Sequence, residues 1–224
     1  DVAGGPACYG AFTAKNLKFD VDLYTKFGSD FPLIEQLGNF NIAKNQLLSE
    51  TKTTRFKILL NDSDRKLFIE NKCQEIEFID NTSDGLIISP VFDEISPDVF
   101  SKLKNNSNFI MIDPQGFLRK KTSENEIFLE NSKIDLSGIS VIKTNYDEIN
   151  ALTGLNGDDA MKLLQDQGIE YVILTDKQNI SLLVKDKMYS IKLPNIKLHD
   201  TTGIGDIFCS TFCCTMLKEK DFLW

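Results

Sequence analysis

The segment Asp200-Thr201-Thr202-Gly203-Ile204-Gly205-Asp206-Ile207-Phe208 gathers more chemically useful residues than any other stretch of the 224-residue chain. Two glycines lead into a stretch where Phe208, Phe212 and Met216 recur at every fourth position, the spacing of one helix face. Glycines at such a start bring the free N–H groups of a first helical turn up to a ligand, and the helix dipole favours negative charge there. Asp206 then lies in the opening turn, beside whatever anion fills the hole. Phosphoryl transfer suits this combination. Backbone donors at Gly203, Ile204 and Gly205 stabilise charge on the transferring group, and a carboxylate accepts the proton of the attacking hydroxyl. An ordinary capped helix start is the competing reading, because Asp and Thr are common caps.

The elements that must position this loop follow a strand-then-helix rhythm. Leu86–Ile88, Phe109–Ile112, Val141-Ile142 and Tyr171–Leu174 are short continuous apolar runs, expected of strands buried on both faces. Helices are predicted over Asp98–Asn105, Tyr146–Thr153 and Asp158–Gln167, the last stopped by Gly168. This alternation predicts an α/β fold with a doubly wound, mostly parallel sheet. Ile180–Val184 and Met188–Lys192 read as two antiparallel strands about a turn at Asp186-Lys187. Near the start, Gly4-Gly5-Pro6 breaks the chain and Pro6 suits a first helical turn. Ala7, Gly10, Ala11 and Ala14 then form a small-residue face that can approach a sheet or a ligand closely. A strand is expected from Val21 to Phe27 and a short helix from Pro32 to Leu37.

Residues 53–78 differ in character. Thr54, Phe56, Ile58 and Leu60 alternate with other side chains, Asn61-Asp62-Ser63-Asp64 forms a turn cluster, and Lys66–Glu70 returns as a second strand. This reads as a β hairpin wet on one face, an appendage to an α/β core of residues 1–52 and 79–224.

Composition excludes several classes. Hydrophobic residues make 42% and charged residues 26%, a globular mixture rather than a disordered one. Lys+Arg 25 against Asp+Glu 33 gives a net charge of -8, which disfavours nucleic-acid partners. No apolar run approaches the roughly 18–20 residues of a membrane span. The five cysteines show no paired spacing and His199 is the single histidine, so a zinc site is unsupported and a reducing, cytoplasmic setting is expected. His199 reads as a packing or capping residue, and no signal peptide is visible in Asp1–Gly10.

The pattern Asp-Thr-Thr-Gly-X-Gly-Asp-X-Phe at 200–208 resembles the C-terminal signature of the ribokinase/PfkB family of carbohydrate and nucleoside kinases. Other segments stand in that family's order: Gly4-Gly5 opening a small-residue helix, Lys26-Phe27-Gly28-Ser29-Asp30-Phe31, Lys143-Thr144-Asn145-Tyr146-Asp147-Glu148, and Leu174-Thr175. The resemblance implies a ribokinase-like α/β fold, with 53–78 a β lid over the substrate. It implies ATP-dependent phosphorylation of a hydroxyl on a small sugar, polyol or nucleoside. Asp206 would be the base, and the amides of Gly203, Ile204 and Gly205 the anion hole. Thr202, Thr175 and Asn145 would lie on the nucleotide and phosphate side. Asn145 and Glu148 match an Asn-X-X-Glu element that places Mg²⁺ mostly through water, as suits a hard ion; a capped helix start is the other reading of this pair. Asp200 and Thr201 match positions that hold a monovalent cation, K⁺, in some members. Gly4 and Gly5 match the substrate-side diglycine. Arg119, in Asp113-Pro114-Gln115-Gly116-Phe117-Leu118-Arg119, could meet phosphate bidentately or form a surface pair.

The sequence departs from the family at several points. Asp176-Lys177-Gln178-Asn179 stands where glycines usually contact nucleotide, with Lys177 able to pair with phosphate. Ile204 replaces a small residue and can crowd the hole. The family also has a first core strand before the diglycine and further helices after the signature, so the chain is expected to be incomplete at both ends. These departures motivate a second hypothesis, a non-catalytic binding or regulatory protein on the same scaffold. A nicotinamide dehydrogenase is disfavoured because the required Gly-X-Gly-X-X-Gly is absent near the start. Small molecules are the expected partners, with no nucleic acid or membrane, and exposed lid edges make a homodimer through the lid an expectation.

Overall fold

A computed structural model of the chain describes residues 4–32, 35, 40–42, 48–61, 64–194 and 201–222. Most of the helix expected at Pro32–Leu37, together with His199 and Asp200, lies outside the described residues. Helix α1 (Pro6–Asn16) is followed by four two-residue strands, β1 (Asp22–Leu23), β2 (Phe27–Gly28), β3 (Asn41–Ile42) and β4 (Leu48–Ser49). The hairpin β5 (Arg55–Asn61) and β6 (Asp64–Asn71) comes next. The remaining elements are β7 (Leu86–Ile88), α2 (Pro97–Leu103), β8 (Ile110–Ile112), α3 (Gln115–Leu118), β9 (Arg119–Lys121), β10 (Ile127–Leu129), β11 (Val141–Asn145), α4 (Tyr146–Thr153), α5 (Gly157–Asp166), β12 (Tyr171–Thr175), β13 (Asn179–Val184), β14 (Lys187–Lys192) and α6 (Ile204–Glu219).

The six-stranded sheet has the order β14-β13-β12-β11-β8-β7. Its β7, β8, β11 and β12 run parallel, and β13 and β14 add antiparallel. The continuous apolar runs are explained by burial on both faces. Ile110, Ile112, Ile142, Val172 and Leu174 pack with Phe100, Ile149, Met161 and Leu164 of α2, α4 and α5. The alternate residues Met111, Val141, Tyr171 and Ile173 pack on the other face with Cys209, Cys213 and Met216 of α6. The cysteines of α6 therefore act as small apolar side chains, and all five cysteines are free thiols.

Helix α1 lies against α6. Its small-residue face permits the approach: the Ser210 hydroxyl donates to the Gly10 carbonyl at 2.8 Å. Ala11 is buried in a separate small cluster with Phe27 and Phe40.

Some expectations required adjustment. The strand expected at 21–27 is two short pieces, β1 and β2, which pair in parallel with β3 and β4. The α6 helix begins at Ile204, between the two glycines. Residues 115–118 form a one-turn helix, and β9 pairs antiparallel with β10, neither of which the apolar pattern reveals. Charged neighbours surround Ile127–Leu129, and Gly116 is needed there because a Cβ would overlap the Pro90 backbone. The β5–β6 hairpin forms with a bulge between Arg55 and Phe56. Its distal half is wet on both sides: Leu59 and Leu60 are 40% and 73% exposed, and Ile58 is exposed as well.

Candidate active site

The opening turn of α6 carries backbone N–H groups that no side chain caps. Gly203 precedes it at φ 82°, in the left-handed region. The Ile204 N–H donates to the Thr201 carbonyl at 3.3 Å. Those of Gly205 and Asp206 lie in the first turn, where a helix offers no acceptor of its own. Of the three expected donors, then, Ile204 is partly engaged by the turn, while the Asp206 amide lies in the first turn beside that of Gly205. Ile204 is 45% exposed, so its branched side chain lies at the surface rather than in the hole.

Tyr9 of α1 closes one side of this turn. A Cβ on Gly203 would overlap the Tyr9 ring, and the place of a Cβ on Gly4 is 3.4 Å from the same ring. Gly5, at φ 79°, faces Val91. The two halves of the expected site, Gly4-Gly5 and Gly203–Asp206, thus meet across one aromatic ring that the sequence reading did not single out.

Beneath the turn lies a buried polar row. The β7–β8 and β8–β11 registers pair Ile88 with Ile112 and Ile112 with Ile142. One residue further along, Ser89 and Asp113 follow the carboxyl ends of β7 and β8, the end at which open α/β sheets bind ligands, and Lys143 stands beside them within β11. Lys143 Nζ donates to Asp113 Oδ2 at 2.8 Å, with side-chain exposures of 10% and 2%. The Cys209 thiol lies 4.0 Å from the same carboxylate oxygen. The Ser89 hydroxyl has no hydrogen-bond partner and is the one such buried side-chain atom among the described residues. Replacing Ser89 by Ala removes an unsatisfied group and is expected to leave stability unchanged or raise it by about 1 kcal/mol. A denaturant titration checks this, and a loss of more than that amount contradicts it.

Electrostatics single out Asp206. It is 8% exposed. Burial first, then the negative charge of Asp113, push its pKa up to about 6, while Lys143 and Arg119 pull it down. Near neutral pH this carboxylate is ionised yet close enough to its pKa to take a proton, the tuning a general base needs. Burial and then Asp113 also push Glu148 up, with Lys143 opposing. Lys143 itself is held charged: burial alone would lower its pKa, but the negative charges of Asp113 and Glu148 and the hydrogen bond to Asp113 outweigh it. Burial and the Asp206 charge raise the Cys8 thiol, so it is not an activated nucleophile.

Asn145 and Glu148 form a reciprocal capping box at the start of α4. Asn145 Oδ1 accepts from Glu148 N at 2.9 Å, and Glu148 Oε2 accepts from Asn145 N at 2.8 Å. Among the described residues no three His, Cys, Asp or Glu side chains gather as a metal site. This donor set fits Mg²⁺ through its retained waters rather than by direct ligation. Thr175 ends β12 beside Asn145, and its hydroxyl donates to the Thr144 carbonyl at 3.1 Å. Thr202 and Thr201 are exposed ahead of α6. The loop after Thr175 is tied by Asp176, whose carboxylate accepts from Gln178 N at 2.5 Å and Asn179 N at 2.7 Å. Arg119 joins the core to the hairpin: Nη1 donates to the Val91 carbonyl at 2.9 Å, and the guanidinium lies 5.8 Å from the Phe56 ring centre. Phe56 in turn meets Phe92 edge-on at 6.5 Å. Glu94 steadies that loop by accepting from Val91 N and Phe92 N, each at 2.6 Å.

A cavity of about 280 Å³ is lined by Phe208, Thr211, Phe212, Thr215, Met216, Asp221 and Phe222. It is mostly apolar and is lined by none of Gly203, Gly205, Asp206, Asp113 or Lys143.

The sequence profile described as pfkB family carbohydrate kinase matches residues 1–223. The chain belongs to that family. It is a phosphotransferase on a ribokinase-like α/β fold, and no helix among the described residues is long and apolar enough to cross a membrane. No curated protein matches the sequence significantly. Solved structures do match this PfkB chain. A pyrophosphate-dependent kinase of the ribokinase family, in a sulfate complex, is 20% identical, with a TM-score of 0.85 over 98% of this chain and 81% of that one. A pyrophosphate-dependent kinase of the same family, bound to a pyrophosphate analogue and myo-inositol, is 20% identical, with a TM-score of 0.83 over 99% and 82%. Fructokinase from Vibrio cholerae O395, a double mutant bound to fructose, ADP and potassium, is 14% identical, with a TM-score of 0.72 over 98% and 77%.

Proposed function

We propose that this carbohydrate kinase transfers the γ-phosphoryl group of ATP to a hydroxyl of a small polyol or sugar, with Asp206 as the base. One observation carries the reading: a buried carboxylate with a pKa near 6 stands in the first turn of a helix that no side chain caps. The acceptor enters between Gly4-Gly5 and the β5–β6 hairpin, which acts as the lid. Asp206 takes the hydroxyl proton as the oxygen attacks, and the amide hydrogens of the Gly203–Asp206 turn hold the charge on the moving phosphoryl group. Closing the hairpin excludes water, which would otherwise compete as acceptor. Bound near Asn145 and Glu148 through its waters, Mg²⁺ would supply positive charge to the donor phosphates. Thr175 and Thr202 flank the donor, and Arg119 acts on the acceptor side by bracing Phe56 of the lid. Thr201 with Asp200 is the place for K⁺, a dependence to be tested by omitting the ion. The exposed Ile58, Leu59 and Leu60 of the hairpin suit a homodimer formed through the lids. The site of action proposed is the cytoplasm.

A second donor is supported by a specific feature. Asp176 ties the loop after Thr175 into a charged turn where the nucleotide would lie, and two similar structures are of pyrophosphate-dependent kinases. Pyrophosphate is therefore the alternative donor. The test is a panel of ATP and pyrophosphate against myo-inositol, fructose, ribose and nucleosides, read as ADP or phosphate formation with Mg²⁺. Acceptor-dependent release from ATP is the expected result. Release from pyrophosphate alone replaces the donor, and no release with any acceptor rejects the reading.

A further inference from the structure

Glu94 is a half-buried carboxylate that the proposed chemistry does not use. Its two oxygens are divided between consecutive amides, Oε1 accepting from Val91 N and Oε2 from Phe92 N. Arg119 Nη1 donates to the Val91 carbonyl, so two side chains of opposite charge hold the backbone of the same two residues. Burial raises the Glu94 pKa, and the two amides with Arg119 offset this only in part. The ionised carboxylate therefore costs stability where it stands. A short neutral side chain can satisfy loop amides without that cost, so stability does not explain the choice of Glu.

The two held residues serve different neighbours. Val91 Cγ1 is 3.8 Å from where a Cβ on Gly5 would stand, which puts it beside the diglycine that the proposed function assigns to the acceptor. Phe92 is buried and meets Phe56 of β5 edge-on, and the Arg119 guanidinium lies over the same Phe56 ring. The other end of the hairpin is tied to the same loop. The Glu94 carbonyl accepts from Ile76 N at 2.8 Å, shortly after β6, and Lys72 pairs with Asp93 at 2.8 Å.

Resting on the acceptor site of the proposed function, we infer that Glu94 is a positioning residue for the acceptor: by fixing Val91 and Phe92 together, it sets the pocket wall beside Gly5 and the seat of the hairpin as one unit. An acceptor that fits against Val91 then meets a lid already aimed at it. A small displacement of either part misplaces the attacking hydroxyl, although Glu94 touches neither substrate.

The test uses Glu94→Gln, which keeps the shape but offers one acceptor oxygen, and Glu94→Ala, which removes both. Each is measured for thermal midpoint, donor and acceptor KM, calorimetric binding of myo-inositol and fructose, and amide hydrogen exchange over β5 and β6. Acceptor KM and the calorimetric Kd are expected to rise at least about 10-fold in Glu94→Ala and by less in Glu94→Gln, with donor KM unchanged. Exchange in the hairpin quickens in the same order, and donor hydrolysis without acceptor rises relative to transfer because a loosened lid admits water. A lowered midpoint with both KM values unchanged, or raised equally, marks a merely structural carboxylate and overturns the inference. If Glu94→Ala does not fold, the same split between acceptor and donor KM in Glu94→Gln decides. Polyol binding that depends on Glu94 in a protein that transfers no phosphoryl group overturns the proposed function and keeps this inference. Transfer to an acceptor whose KM ignores Glu94 does the reverse.

Discussion

Asp206→Asn is expected to lower kcat by roughly 10²–10⁴-fold, the contribution of a general base, while making the folded protein more stable. The stability gain follows from the raised pKa. An isolated Asp titrates near 3.8, whereas Asp206 in the folded chain titrates at about 6. Between those values the folded state holds a proton that the unfolded state has released, so stability falls as pH rises through this window. Above about pH 6 the full cost of the buried, ionised carboxylate is present, about 3 kcal/mol from the difference between the two values. The neutral Asn removes it. Chemical denaturation at pH 8 and pH 4 checks the sign: the variant should gain at pH 8 and gain little at pH 4. The same pKa places the acid limb of the unaltered enzyme's kcat profile near pH 6, and that limb should vanish with the residual activity of the variant. Asp206→Asn with full turnover, or a protein destabilised at pH 8, would falsify the assignment of this carboxylate as a strained base.

Gly203→Ala has the other large effect, by a different route. A Cβ at this position overlaps the Tyr9 ring, and the φ of 82° is one that L side chains rarely adopt. The left-handed backbone alone costs about 1–2 kcal/mol, and relieving the overlap must shift α1 or the opening turn of α6. Moving those amides by even a fraction of an ångström would weaken the donors of the proposed anion hole. The expected loss in kcat is about 10²–10³-fold, comparable to removing an oxyanion donor. Two measurements separate the contributions. Combining Gly203→Ala with Tyr9→Ala removes the overlap and should recover stability more than the two single changes summed. The backbone term persists, so turnover should recover only in part. Strict additivity of the two changes in stability would show that Tyr9 and Gly203 are not coupled as the contact implies.

The hairpin shows how an alternating pattern can mislead about burial. Thr54, Phe56, Ile58 and Leu60 alternate as a half-buried strand should, yet only the base of the hairpin is covered, where Phe56 meets Phe92 and Arg119. Period two specifies which residues share a face, but it does not say whether anything lies against that face. Arg119 illustrates the same limit. A guanidinium has the right chemistry for phosphate, but the sequence gives no sign that it also joins the base of the hairpin to the Val91 loop.

Local spacing alone determined the parallel strands, the helices between them, the glycine turn before α6 and the carboxylate in its first turn, because each depends on backbone geometry and on neighbours within a few residues. The Asn145–Glu148 cap was legible for the same reason, as a reciprocal bond across three residues. Tertiary structure alone decided that Tyr9 covers Gly203, that Lys143 and Asp113 pair beneath Gly205, and that the Ser89 hydroxyl is buried without a partner. Those facts depend on which strands lie side by side, in what register, and on how closely α1 approaches α6 across a separation of 200 residues. A lysine within an otherwise apolar strand is a visible signal of a buried charge, but its counter-charge and its use come only from the strand that the fold places next to it.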